Sequence, residues 1–130
     1  MGVRFPSVFT TTSLGVLAAN GAETIIATTP PLTLPLDFAS VFLHWWFAGS
    51  SGNGTTGLSV AIRRGVTLAG TLITAAAAVL VTANNIVNVA GCFVDTPGAV
   101  AGQQYTLTLT GTATTGVGTT LDVCLFAYCF

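Results

Sequence analysis

Lysine is absent from this sequence, and charge of either sign is scarce: three arginines and four acidic residues in 130, or 5% against the roughly 25% of an ordinary soluble domain. With a net charge of −1, phosphate neutralisation cannot drive binding, so no nucleic-acid partner is expected. Proton-moving groups are equally few. The one histidine, His44, lies in "FLHWWF", where an imidazole among aromatics reads as a structural residue. A Ser-His-Asp triad would have to use it, and no G-x-S-x-G elbow occurs. Four scattered acids, Glu23, Asp37, Asp95 and Asp122, offer no obvious glycosidase pair. Cys92, Cys124, Cys129 and His44 lack the close Cys-x-x-Cys spacing of a zinc site, and no glycine-rich phosphate loop precedes a helix. The expectation is a protein without catalysis, metal or cofactor.

Long hydrophobic runs are missing too, although mean hydropathy is +0.81. A membrane helix needs about 20 apolar residues. The longest candidate, "LITAAAAVLVTANNIVNVAG", is cut by Thr74, Thr82, Asn84, Asn85 and Asn88. No aromatic girdles of a small transmembrane barrel are evident either, so no membrane partner is expected. At the N-terminus, Pro6 and "TTTS" interrupt the apolar core a signal peptide needs, and Pro6 also breaks the myristoylation pattern. Residues 1–20 therefore read as a retained arm, followed by one domain over 21–130. Three cysteines are an odd number in a chain too large for a disulfide-stapled miniprotein, so free thiols are expected, with a Cys92–Cys124 bridge left open.

What the chain does contain is strand signal. Threonine is the commonest residue, and β-branched and aromatic residues form short runs such as "ETIIATT", "DFASVFLHWWFAG", "GLSVAIRRG", "NIVNVAGCFVD", "QQYTLTLTGTA" and "TTLDVCLFAYCF". Between them stand Pro30-Pro31, "GSSGNGTTG", Asn84-Asn85, "DTPGAVAG" and "TTGVG". Only "TAAAAVLVTA" offers a weak helical alternative. Asn53-Gly54 reads as a tight hairpin turn in preference to a glycosylation sequon. So many short strands predict an all-β, antiparallel two-sheet sandwich, with the jelly roll the leading topology.

Alternation sorts the strands. In "QQYTLTLTGTA", Tyr105, Leu107 and Leu109 face the core, while Thr106, Thr108 and Thr110 are expected to meet water. "SVFLHWWFA" and "LDVCLFAYCF" have no polar side. Val41, Leu43, Trp45 and Phe47 oppose Phe42, His44 and Trp46, and Leu121, Val123, Leu125, Ala127 and Cys129 oppose Cys124, Phe126, Tyr128 and Phe130. A sandwich hides one face of each sheet, so the second apolar faces want a partner, most economically further copies of the chain. The expected oligomer interface is Phe42, His44, Trp46, Phe126, Tyr128 and Phe130.

Two of the three basic residues stand together in "SVAIRRG", and in a strand such neighbours point to opposite faces. Arg64 continues the apolar row of Leu58, Val60 and Ile62, so it should form a buried ion pair with one of the four acids. Arg63 should be peripheral, reaching solvent or a neighbouring subunit.

Taken together, "ETIIATTPPLTL", "SVAIRRG", "GTLI", "FVDTPGAVAGQQYTLTL" and "LDVCLFAYCF" resemble, over roughly residues 20–130, small structural proteins of tailed bacteriophages with a TNF-like jelly roll. The resemblance implies a homotrimer with the last strand and its aromatic neighbours near the axis. It would serve as a capsid decoration (cement) protein, or alternatively as a receptor- or glycan-binding fibre head. On that reading the chain is made in the bacterial host cytoplasm and resides on the virion surface. Its arm, with Arg4, Phe5 and Phe9, contacts the major capsid protein.

Overall fold

The computed structural model describes residues 7–12, 16–17, 22–34, 40–51, 56–75, 79–81, 86–98, 100–111 and 118–130, with residues 7–12, 16–17, 49–51, 56, 75, 79–81, 86–87 and 118–122 described in backbone only. Every element among them is a strand: β1 (Ser7–Thr12), β2 (Val16–Leu17), β3 (Glu23–Thr28), β4 (Leu32–Leu34), β5 (Val41–Ser51), β6 (Thr56–Arg64), β7 (Leu72–Ala75), β8 (Val79–Val81), β9 (Ile86–Asp95), β10 (Val100–Gln103), β11 (Tyr105–Gly111) and β12 (Gly118–Cys129). The alanine-rich stretch with weak helical character contributes to β7 and β8, where pairing with β6 overrides alanine's local preference.

One sheet runs β1-β12-β5-β9, with β2 also on β12; the other runs β3-β11-β6-β7, with β8 also on β6. All pairs are antiparallel. The first strand lies beside the last, and strands far apart in sequence alternate between two layers, which is the double Greek key of a jelly roll. A small additional pair, β10-β4, lies outside both sheets.

The core lies between the layers. Val41, Leu43, Trp45 and Phe47 of β5, with Val123, Leu125, Ala127 and Cys129 of β12, form one cluster with Leu58, Val60 and Ile62 of β6 and Tyr105, Leu107 and Leu109 of β11. These are the inward rows that strand alternation predicts. Each large apolar side chain so buried is worth about 1.5–3 kcal/mol in transfer terms. Gly91 serves this core by having no side chain: it is opposite Trp45, and a Cβ there would overlap the indole. Trp45 thereby lies flat over β9 and stacks on Phe47, ring centroids 6.3 Å apart.

Three expectations need correction, and one alternative left open is closed. Within the stretch read as an arm, Ser7–Thr12 and Val16–Leu17 are strands added to this chain's own β12, because β12 would otherwise lack a neighbour on that side. Asn53-Gly54 lies outside the described residues, but the flanking strands do not form a hairpin. β5 pairs with β12 and β9, and β6 belongs to the other sheet. A Cys92–Cys124 bridge is ruled out by topology: the residues sit on β9 and β12 with β5 between them, about 10 Å apart at two strand spacings, and both are free thiols. Finally, Thr106 and Thr108 do not meet water; both are fully buried. β11 is central in its sheet, and its neighbours' long polar side chains fold over the threonine row.

Candidate interaction surface

The two outer faces of the sandwich differ in chemistry, and the adjacent arginines help explain why. Arg64 ends the inward row of β6. Its Nε and Nη2 donate to Asp95 Oδ2 and Oδ1 at 2.8 and 2.6 Å, and the Tyr105 hydroxyl donates to Asp95 Oδ2 at 3.0 Å. Asp95 ends β9, so this triad ties the two sheets together at one end. Asp95 is 4% exposed and Tyr105 is fully buried, whereas the Arg64 side chain keeps about a third of its surface in solvent. The expected ion pair of Arg64 is present. Its hydrogen bonds to Asp95 hold the guanidinium pKa above its ordinary value. Burial, followed by the charge of Asp95, pushes the Tyr105 phenol up in the same direction.

Arg63 is the correction. It is not a peripheral residue reaching for solvent: Nε and Nη2 both donate to the Glu23 carboxylate at 2.8 Å, and Nη1 donates to Gly70 O at 3.0 Å. The Thr108 hydroxyl donates to Glu23 Oε1 at 2.6 Å, and Thr106 donates to Gly65 O at 2.6 Å. Glu23 on β3, Thr108 on β11 and Arg63 on β6 thus span three strands and cover the middle of the outside of that sheet with satisfied polar groups, with Ile25 and Leu72 exposed beside them. The Arg63 hydrogen bonds hold the Glu23 carboxyl below the usual range, with Thr108 adding to the effect and burial opposing it.

The outside of the β1-β12-β5-β9 sheet has no such cover. Cross-strand register places Phe42 opposite Tyr128 and Val94, His44 opposite Phe126 and Cys92, and Trp46 opposite Cys124 and Ala90. Phe42 and Tyr128 pack at 5.1 Å between centroids, Phe126 and Tyr128 at 5.5 Å, and Tyr128 and Phe130 at 6.4 Å, all tilted. Such aromatic pairs add about 0.5–1.5 kcal/mol each beyond their burial. Trp46, Val94 and Phe130 remain 38%, 45% and 51% exposed. A shallow depression of about 340 Å³ opens between β5 and β9, lined by His44, Trp46, Asn88, Val89 and Ala90.

All six residues expected at the oligomer interface therefore lie together on this face: Phe42, Phe126 and Tyr128 half-buried in the aromatic ladder, His44, Trp46 and Phe130 exposed. Of the arm residues, Arg4 and Phe5 lie outside the described residues, and Phe9 is placed by backbone alone, opposite Phe126. Sequence reasoning named Asp95 only as one of four acids open to Arg64 and missed the roles of Glu23 and Tyr105, whose partners are 40 or more positions away or across the sandwich. The only available signal was the shortage of acids. Burial pushes the thiols of Cys124 and Cys129 up, as it does for unreactive cysteines. Among the described residues no group of three metal-ligating side chains forms.

No protein-family model matches this sequence, and no curated protein does. Solved structures do. The structure of infectious bursal disease virus, Gx strain, superposes with a TM-score of 0.68 at 11% identity, over 96% of this chain and 33% of that one. The D431N mutant VP2 protein of infectious bursal disease virus, in derived T=1 particles, gives 0.59 at 11% identity, over 97% and 36%. The chain spans about a third of the length of these structures. What it shares with them is the fold, an antiparallel jelly-roll β-sandwich.

Proposed function

We propose that this chain is a structural subunit of a virus particle, acting as a homotrimeric capsid decoration (cement) protein that stabilises a phage head by clamping major capsid protein subunits. The observation that carries the reading is the asymmetry of the sandwich: one outer face carries the Arg63–Glu23–Thr108 network across three strands, with Ile25 and Leu72 exposed beside it, while the other presents a contiguous aromatic ladder of Phe42, Phe126, Tyr128 and Phe130 together with Trp46. An apolar sheet face of that extent is unusual on a monomer and fits burial against further copies around a common axis. With so little charge in the chain, such association would respond weakly to salt. The jelly-roll fold, shared with a viral protein found in T=1 particles, supports a virion location. Synthesis in a bacterial host cytoplasm follows from the bacteriophage resemblance.

A receptor- or glycan-binding fibre head is the second reading, favoured by one feature. The exposed indole of Trp46 beside His44 and Asn88 offers a flat apolar platform with two hydrogen-bonding side chains, which suits the apolar side of a sugar ring. Quantitative mass spectrometry of purified particles separates the two. Abundance near that of the major capsid protein is the expected result for a cement protein, and a few copies per particle would favour the fibre head. Absence from particles would overturn both.

A further inference from the structure

Each open sheet exposes two edge strands, and soluble proteins usually blunt such edges with charge, proline, bulges or short length. Three of the edges here follow that practice in part. β3 has six residues, begins with Glu23 and has a register shift against β11. β7 and β8 are four and three residues long. β1 is six.

The fourth, β9, does not. It has ten residues, pairs with β5 at every position from Ile86 to Asp95 without a shift, and contains no lysine, arginine or proline. Its one charge, Asp95, is already held by Arg64. Among the described residues, nothing pairs with its second side. The core is also unfinished there: inward Val89 and Phe93 are only half-buried, whereas their cross-strand partners Phe47 and Leu43 are fully buried. On the outer face Asn88, Ala90, Cys92 and Val94 are all exposed.

We infer that β9 pairs antiparallel with β9 of a second copy across a two-fold axis, joining two sheets into one that runs β1-β12-β5-β9-β9-β5-β12-β1. The occupant is a second copy because the strand is self-complementary in that direction. Antiparallel pairing sends the two Asp95 residues to opposite ends, each still bonded to its own Arg64, and no other charge lies along the shared edge. A two-fold on Ala90 or Gly91 overlaps all but one residue of each strand, so the smallest side chains meet where the strands cross the axis. The strand's own ladder and the half-buried Val89 and Phe93 then gain cover together. This contact runs along the strand edge and adjoins the aromatic face, on which Ala90 and Cys92 stand opposite Trp46 and His44, and it holds whether or not the chain is a virion protein.

With overlap centred on Ala90 or Gly91, the two Cys92 residues lie roughly 7–14 Å apart along the strands, at about 3.4 Å per residue. A bis-maleimide matched to that span should therefore give a covalent dimer of the intact protein, and none with Cys92→Ser. The double variant Asn88→Lys with Ala90→Lys places like charges along the shared edge at exposed positions. In a background with Trp46, Phe126 and Tyr128 replaced by serine, where the aromatic face no longer holds copies together, it should turn a dimer into a monomer with the circular dichroism spectrum unchanged. No Cys92-dependent dimer, or a native mass unmoved by the double variant in that background, would overturn the inference. Should that variant fail to fold, hydrogen exchange on the unmodified protein decides instead: uniform protection along β9 supports pairing, and fast exchange at alternate β9 amides overturns it.

Discussion

Trp45 and Gly91 are a matched pair, one side chain filling the space the other leaves. Gly91→Ala should destabilise the fold by about 1–3 kcal/mol, since the indole must leave its rotamer in a packed core. Chemical denaturation would check this, and in a Trp45→Leu background the same substitution should cost much less. At the Arg64–Asp95–Tyr105 triad, Tyr105→Phe removes one donor from a buried carboxylate and should cost about 1–3 kcal/mol. Arg64→Met should cost at least as much, because it leaves Asp95 without its ion partner, although the exposed side of Arg64 tempers the loss. A denaturation midpoint unchanged by either variant would contradict the bridge between the sheets.

The clamp across β3, β11 and β6 makes stability depend on acid. Glu23 ionises more readily in the folded protein than in the unfolded chain, so its contribution is complete above the ordinary glutamate range. It is lost as pH falls through that range and then through the lowered folded value. Thermal melts of the wild type should lose Tm over that acid window, and Glu23→Gln should flatten this part of the profile. How much of these elements was legible beforehand follows from the reach of the signal. Alternation correctly divided Val41, Leu43, Trp45 and Phe47 from Phe42, His44 and Trp46, because side-chain direction is local. It said nothing about what covers Thr106 and Thr108, since that depends on β3 and β6 flanking β11. The Asn53-Gly54 turn failed for the same reason: a turn signal marks a reversal of chain but not which sheet the next strand joins.

For the whole molecule, the unequal outer faces set the expected behaviour in solution. Replacing Trp46, Phe126 and Tyr128 by serine should lower the oligomer mass measured by light scattering while leaving the β spectrum intact, because these side chains stand outside the core cluster. Retention of the native mass would remove the aromatic face from the assembly. That face was legible in the sequence as strands with no polar side. The identity of its partner was not, because alternation reports an apolar surface and never its occupant.

Strand order also governs timing. Ser7 stands opposite Tyr128, and β12 fills the slot between β1 and β5. A ribosome therefore delivers the aromatic edge of β5 long before the strand that satisfies it. Until β12 emerges, β1 has no place in a sheet and half the sandwich cannot close. Pairings this distant in sequence belong to chains that fold in milliseconds to seconds or more slowly. For a chain this apolar, the interval before β12 arrives is when stray association is most dangerous.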